Sequence, residues 1–207
     1  MPKSIIQIAR LMANVFAVHS VGSSLANYLT TSYPEPLRTD HPCIFRVMAS
    51  GELDTLDPED LGTALTFILY RVTINEHLRN SRVSDNQLRN SFPLSLDLHY
   101  LMVVWANSAL AEHTILAWAM RQLHQHPLLD TSYLTPEAGW STGDVVQIVP
   151  EELSTDDLMT IWDALSRAYR LSVSYTARVV RIETEPIEEA GPVVATRFSY
   201  TDREALP

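Results

Sequence analysis

The chain has 207 residues, 46% of them hydrophobic and 19% charged; that is enough apolar material for one sizeable core and too much for a disordered chain. A formal net charge of −10 argues against a face that neutralises phosphates, and so against nucleic-acid binding. The single cysteine, Cys43, excludes a disulfide within the chain and a cysteine-based metal cluster, and it suits assembly in a reducing compartment such as the cytoplasm.

The amino terminus begins with Lys3 before apolar residues, but Gln7, Arg10 and Asn14 interrupt the run, so it reads as an amphipathic helix and not as a secretory signal. Ser4 and Gln7 have capping-box spacing, and Leu11, Val15, Val18, Leu25 and Leu29 recur at helical steps, which predicts a first helix to about Thr30 with a kink or break at Gly22-Ser23-Ser24. Tyr33-Pro34-Glu35-Pro36 ends it and opens a loop. Cys43–Met48 reads as a short strand and the acidic stretch Gly51–Asp60 as a loop. Thr63–Ile74 is rich in β-branched and aromatic residues and predicts a strand buried on both faces. The segment between it and the next strand holds Arg79, Arg82 and Arg89 among polar residues, an exposed basic flap on an acidic protein.

The stretch from Pro93 to Pro127 organises the chain. Leu94, Leu96, Leu98, Tyr100, Met102 and Val104 fall on one side of a strand, with Ser95, Asp97 and His99 opposite; from Leu101 the second side also turns apolar, through Val103 and Trp105. This predicts a central strand paired with Thr63–Ile74. Asn107 or Ser108 then caps a helix whose stripe is Leu116, Ala119, Met120 and Leu123, until Pro127 stops it. A connector spans Leu128–Gly143, and Val145–Val149 is a short strand. Ser154 opens another helix with Asp156 and Asp157 at its positive end and Leu158, Ile161, Trp162 and Leu165 on its buried side. Leu171–Ile182 is a strand whose Ser172, Ser174, Thr176 and Arg178 form a polar side, which reads as a half-exposed edge open to a partner strand. From Glu183 the composition turns acidic and proline-containing, so the reading is one domain over residues 1–182 and a tail over 183–207 that orders on a partner. The element order predicts an α+β fold, a mixed β-sheet flanked by helices.

No window reaches the roughly 18 uninterrupted apolar residues of a membrane span, so membrane contact is not indicated. The seven histidines include no H-E-x-x-H, and His113, His124 and His126 lack ligand spacing; no metal or other cofactor is expected. Asp97 and His99 share the polar side of the central strand and imitate part of a catalytic relay, but no nucleophile, phosphate-loop or dinucleotide motif accompanies them. Neither an enzyme nor a small-molecule substrate is expected. Glu112 lies in line with the buried stripe of its helix, and a carboxylate there needs local amides or a cation such as Arg71.

Three ordered blocks, YRVTINEHLRN (Tyr70–Asn80), PLSLDLHYLMVVWA (Pro93–Ala106) and EHTILAWAMRQLHQHPLL (Glu112–Leu129), resemble the cap, or tail-terminator, family of phage-tail-like contractile injection systems. The likeness extends through SxDDLxxIWDAL and the final strand, while the first helix and the acidic tail agree only in general character. It singles out Tyr70, Arg71, Asn75, Leu78, Arg79, Asn80, Asp97, His99, Tyr100, Glu112 and His113 as motif residues. It implies a hexameric ring at the end of the inner tube far from the baseplate, with the tube protein and the sheath protein as partners. Contacts are expected from Arg79, Arg82 and Arg89, or from the strand bearing Ser172, Ser174, Thr176 and Arg178. A competing expectation is an adaptor that attaches the particle to a membrane or a cellular partner through the acidic tail.

Overall fold

A computed structural model describes residues 13–55, 61–75 and 93–183. The elements in chain order are α1 (Ala17–Ser32), α2 (Glu35–Asp40), β1 (Ile44–Met48), α3 (Ser50–Thr55), β2 (Ala64–Ile74), β3 (Leu94–Trp105), α4 (Ala109–Gln125), β4 (Leu128–Asp130), a 3-10 turn (Pro136–Ala138), β5 (Val145–Glu151), α5 (Thr155–Ala164) and β6 (Ser172–Ile182). Six strands form one sheet in the order β1-β2-β3-β6-β5-β4. The β1–β2 pair is parallel and the other pairs are antiparallel, so the sheet is mixed and the fold α+β, as the element order predicts.

The two-sided pattern of β3 is realised. Its Leu96, Leu98, Tyr100, Met102 and Val104 join a core beneath α1 and α4, the first face, with Leu25, Leu29, Ile115, Trp118 and Leu123. Leu101, Val103 and Trp105 join a smaller core on the second face, with Leu53 of α3 and Trp162 of α5. The helices therefore sandwich the sheet, and β3 lies between β2 and β6 at its centre. Tyr33 fastens the end of α1, its ring edge-on to Trp118 at 4.8 Å and to Phe45 at 5.1 Å.

The structure corrects several expectations. Among the described residues α1 starts only at Ala17, because Ala13 is extended and bridges Ile182, and Val15 is exposed; residues 1–12 lie outside the described region. Gly22 does not break the helix. A Cβ there would stand 3.1 Å from Val47 Cγ2 and 3.4 Å from the Tyr100 hydroxyl, so the glycine permits close approach of helix to sheet. Gly22→Val should therefore cost about 1–3 kcal/mol by overpacking, whereas in Gly22→Ala the gain in helix propensity of about 1 kcal/mol offsets a milder contact; urea unfolding of the two variants checks this.

The stretch expected as a loop after Tyr33 contains α2, because Pro36 falls in the first helical turn, where a missing N–H costs nothing. Likewise α3 forms inside the acidic stretch: Glu52 Oε1 reaches back to accept from the Ala49 N–H at 3.0 Å, half of a capping box, and Leu53 is fully buried. The connector after α4 supplies β4, held by buried Leu129. Ser108 stands at the N-cap of α4 without a side-chain cap bond, and Met120 is partly exposed. Ser154 caps α5 as expected, accepting from the Asp157 N–H at 3.1 Å.

The largest correction concerns β6, which lies between β3 and β5 and is not an edge. Its Ser172, Ser174 and Thr176 are buried, and only Arg178 of that polar row is exposed.

Candidate functional site: a carboxylate node joining four strands

A β-bulge sets the geometry. The register of β2 against β3 shifts between Leu69, opposite Tyr100, and Arg71, opposite His99, leaving Tyr70 as the extra residue. The side chains of Tyr70 and Arg71 consequently both reach the second face, where an uninterrupted strand would send neighbours to opposite sides. Arg71, His99 and Thr176 then form one row across β2, β3 and β6, and Leu101, Ser174 and Glu151 are aligned in the next row across β3, β6 and β5.

Glu151 is the hub. Its Oε2 accepts from the Tyr70 hydroxyl at 2.9 Å, Ser174 Oγ at 3.0 Å, Thr176 Oγ1 at 3.2 Å and His99 Nδ1 at 2.9 Å, and its Oε1 pairs with Arg71 Nη2 at 3.0 Å. A carboxylate only accepts, so His99 carries a proton on Nδ1, and its Nε2 is hydrogen-bonded to Thr73 Oγ1 at 2.9 Å. The His99 side chain is 8% exposed, that of Glu151 20% and that of Arg71 50%; the node thus grades from buried to solvent-facing. Burial works to raise the Glu151 pKa, but hydrogen bonds from His99, Tyr70 and Ser174, with the charge of His99, hold it down at about 2. Burial first, and the Glu151 carboxylate after it, push the Tyr70 hydroxyl up, which keeps it a neutral donor.

Beside the node, at the end of the hairpin, Asn75 Nδ2 donates to both oxygens of Asp97, at 3.2 and 3.0 Å, and the Asn75 N–H donates to the Ser95 carbonyl at 2.9 Å. This clamp closes the strand ends from which segment 76–92 departs. Asp97→Ala should cost about 1–2 kcal/mol and speed amide exchange at Asn75 relative to the centre of β3, which hydrogen-exchange mass spectrometry would resolve.

The structure thus unites Tyr70, Arg71, His99, Ser174 and Thr176 around Glu151, with Asn75 and Asp97 alongside. Tyr100 faces the opposite core, its hydroxyl donating to the Val18 carbonyl at 3.2 Å and its pKa raised by burial. Glu112 and His113 sit on α4, on the first face, with His113 Nε2 at 4.0 Å from Glu112 Oε2. The sheet separates them from Asp97 and His99, and the acid that meets Arg71 is Glu151, not Glu112. Ser172 accepts from Trp162 Nε1 at 3.1 Å. Leu78, Arg79, Asn80, Arg82 and Arg89 lie outside the described residues.

Sequence reasoning missed Glu151, having ended the strand at Val149. The available signal was Pro150: a proline can sit where a strand becomes an edge, so the strand need not stop there, and two more residues bring in Glu151. Chemically the node is a brace. The hydroxyls of Tyr70, Ser174 and Thr176 bond to the carboxylate and that of Thr73 to His99 Nε2, and these bonds, with the Arg71 pair, tie β2, β3, β5 and β6 together. Among the described residues no three His, Cys, Asp or Glu side chains are grouped to hold a metal ion, and no helix is long and apolar enough to cross a membrane.

Residues 20–196 match the Pvc16 N-terminal domain family. The chain belongs to the Pvc16 N-terminal domain family. A cryo-EM structure of the PVC sheath/tube terminator of an extracellular contractile injection system, in its extended state, shares its fold: the TM-score is 0.55 at 17% identity, over 95% of this chain and 66% of that one. The anti-feeding prophage cap, an AFP tube terminating cap, aligns at a TM-score of 0.45 and 16% identity, over 67% of this chain and 50% of that one. This Pvc16-family chain therefore spans about two thirds of the length of the first protein and half of the second. No curated protein matches it. The node and the two-faced β3 thus belong to a tail-terminator fold.

Proposed function

We propose that the protein is a structural, non-enzymatic cap of a contractile injection system. Six copies close into a ring that docks on the last ring of the inner tube at the end far from the baseplate, ends its growth and gives the last sheath ring a hold. The observation that carries this reading is the fold, shared over 95% of the chain with a sheath/tube terminator, in a chain of the Pvc16 N-terminal domain family. Tube protein and sheath protein are the partners, and assembly takes place in the cytoplasm, on a particle that is afterwards retained or released.

A tube grows by repeating one interface, so a terminating ring must accept a neighbour on one side and refuse it on the other. Six weak contacts made together hold firmly. Two features of the sheet suit refusal. Pro150 occupies β5 beyond the residues paired with β4 and has no N–H to offer an added strand. On the opposite edge, Arg46 of β1 is engaged by Glu52, which places charge where a strand would pair. With β6 internal, a sheath strand has no free edge there beside Ser174 and Thr176; Arg79, Arg82 and Arg89 are the proposed contacts to acidic neighbours.

Particles purified from cells lacking the gene test the reading. Tubes longer than those of the parent strain, or sheaths that slip from their tubes, are the expected result. Ordinary tube lengths with intact sheaths would sink it.

A further inference from the structure

The second face of the sheet is only half covered. Over β2 and β3 it carries α3 and α5, whose Leu53 and Trp162 pack with Leu101, Val103 and Trp105, but no residue of β4 or β5 belongs to this second core. Leu129, Val146 and Ile148 point into the first core, so Leu128, Val145 and Gln147 alternate onto the second face; Leu128 is 53% and Val145 46% exposed. Pairing of β5 with β6 ends at Gln147 opposite Arg178, beyond which β5 stays with β4 and β6 with β3. The parted strands leave a groove of about 370 Å³ lined by Leu128, Trp140, Val145 and Val179, with Arg178 and Arg181 exposed beside them. Leu96 pairs with Val180 and Leu98 with Ala177, so β6 has one residue more than β3 here, and this second bulge lets residues three apart share a face. Neither arginine holds an ion pair among the described residues. The acid in the lining, Asp144, accepts from the Ser141 N–H at 2.7 Å.

Helix α5 has the opposite character. It and its approach hold Glu151, Glu152, Asp156, Asp157 and Asp163, with no lysine or arginine between Pro150 and Ser166. Leu158, Ile161 and Leu165 turn toward the second core, which leaves Asp156, Thr160 and Asp163, at steps of four and three, as the exposed outward stripe. Met159, partly exposed and in neither core, lies between the two aspartates. Asp156 and Asp163 hold no ion pair among the described residues. Seven residues of helix rise about 10 Å and three residues of strand cover about 10 Å, so the two carboxylates match the two arginines in spacing. Met159 then meets Leu128 and Val145. We propose that two free copies of this chain pair face to face about a two-fold axis, with α5 of each lying in the groove of the other. Both patches look out from the same face of the sheet, so one half-turn makes both contacts at once and the surface is self-complementary. Charge selects the occupant: a protein of net charge −10 keeps two free arginines beside bare apolar side chains, and a second copy brings the carboxylates at the right interval. The pairing concerns the chain in solution and holds or fails apart from the ring on the tube.

Sedimentation of the full chain tests the pairing. The parent protein should form a reversible dimer at micromolar concentration, weakened in about 1 M salt, where screening shortens to about 3 Å. Arg178→Glu with Arg181→Glu should weaken the dimer about tenfold or more, because four exposed ion pairs turn repulsive, and Asp156→Arg with Asp163→Arg should do the same. All four side chains are exposed, so both variants should keep the parent melting temperature. Mixed in equal amounts, they should form a dimer containing one of each, since each offers the other a helix and a groove of opposite charge. A chain carrying all four substitutions should again pair with itself. A parent protein monomeric at about 100 μM, a dimer indifferent to either reversal, variants that stay apart on mixing, or a reversal-sensitive assembly larger than a dimer would each overturn the inference.

Discussion

Glu151→Ala should lower the free energy of unfolding by about 3 kcal/mol, the low end of what removing one partner from a buried charged pair costs, because His99 is buried while Arg71 is half exposed. Arg71, His99, Tyr70, Ser174 and Thr176 would all lose the acceptor on which they converge, and the buried members, His99, Ser174 and Thr176, would keep only the contacts within the cluster, so the loss exceeds the net value of a single hydrogen bond. Glu151→Gln keeps the shape and isolates the charge. In the folded protein the Glu151 pKa lies at about 2, against an ordinary 4.5. A carboxylate held below its unfolded value adds stability that is complete above about pH 4.5 and is lost as pH falls toward 2. The stability gap between the parent protein and Glu151→Gln should therefore narrow from pH 5 downward and close near pH 2. Denaturant unfolding of both proteins across that range measures it; a gap independent of pH would mean that the carboxylate is not the hub.

Trp162→Ala should be comparably damaging, at about 3–5 kcal/mol. Its indole is 1% exposed and forms the α5 side of the second core, with Ile68, Leu101, Val103 and Trp105 against it across β2 and β3. Its Nε1–H also satisfies Ser172. Trp162→Phe restores most of the buried area and loses only that donor, so it should recover all but about 1–2 kcal/mol. Thermal unfolding of the pair separates packing from hydrogen bonding; equal losses in the two variants would place the weight on the hydrogen bond.

What was legible in the chain followed from local pattern. The parity of β3 is written in adjacent residues, and its switch to two apolar faces at Leu101 was enough to place it at the centre of the sheet. Ser154 and Asp157 stand three residues apart, so the start of α5 was equally plain. The position of β6 was not. Ser172, Ser174 and Thr176 have the composition of a solvent-facing row, and what buries them comes from elsewhere: the indole of Trp162 and the carboxylate of Glu151. Helices α2 and α3 escaped notice because a proline in a first turn and a single capping glutamate leave no periodic trace. The resemblance carried by the blocks at Tyr70 and Pro93 named the family, while the reason for their Tyr-Arg and Asp-x-His pairs emerged only with the bulge at Tyr70 and the distant Glu151.

The bonds of the node span the chain: Tyr70 meets Glu151 across 81 positions and Ser174 across 104. Contacts between such remote segments come at a high loop-closure cost and form after local ones. Glu151 is therefore expected to be absent from the rate-limiting step of folding, so that its substitution accelerates unfolding while leaving refolding nearly unchanged. A residue of that kind sets how long the folded chain persists once made and has little bearing on how quickly it first acquires its shape.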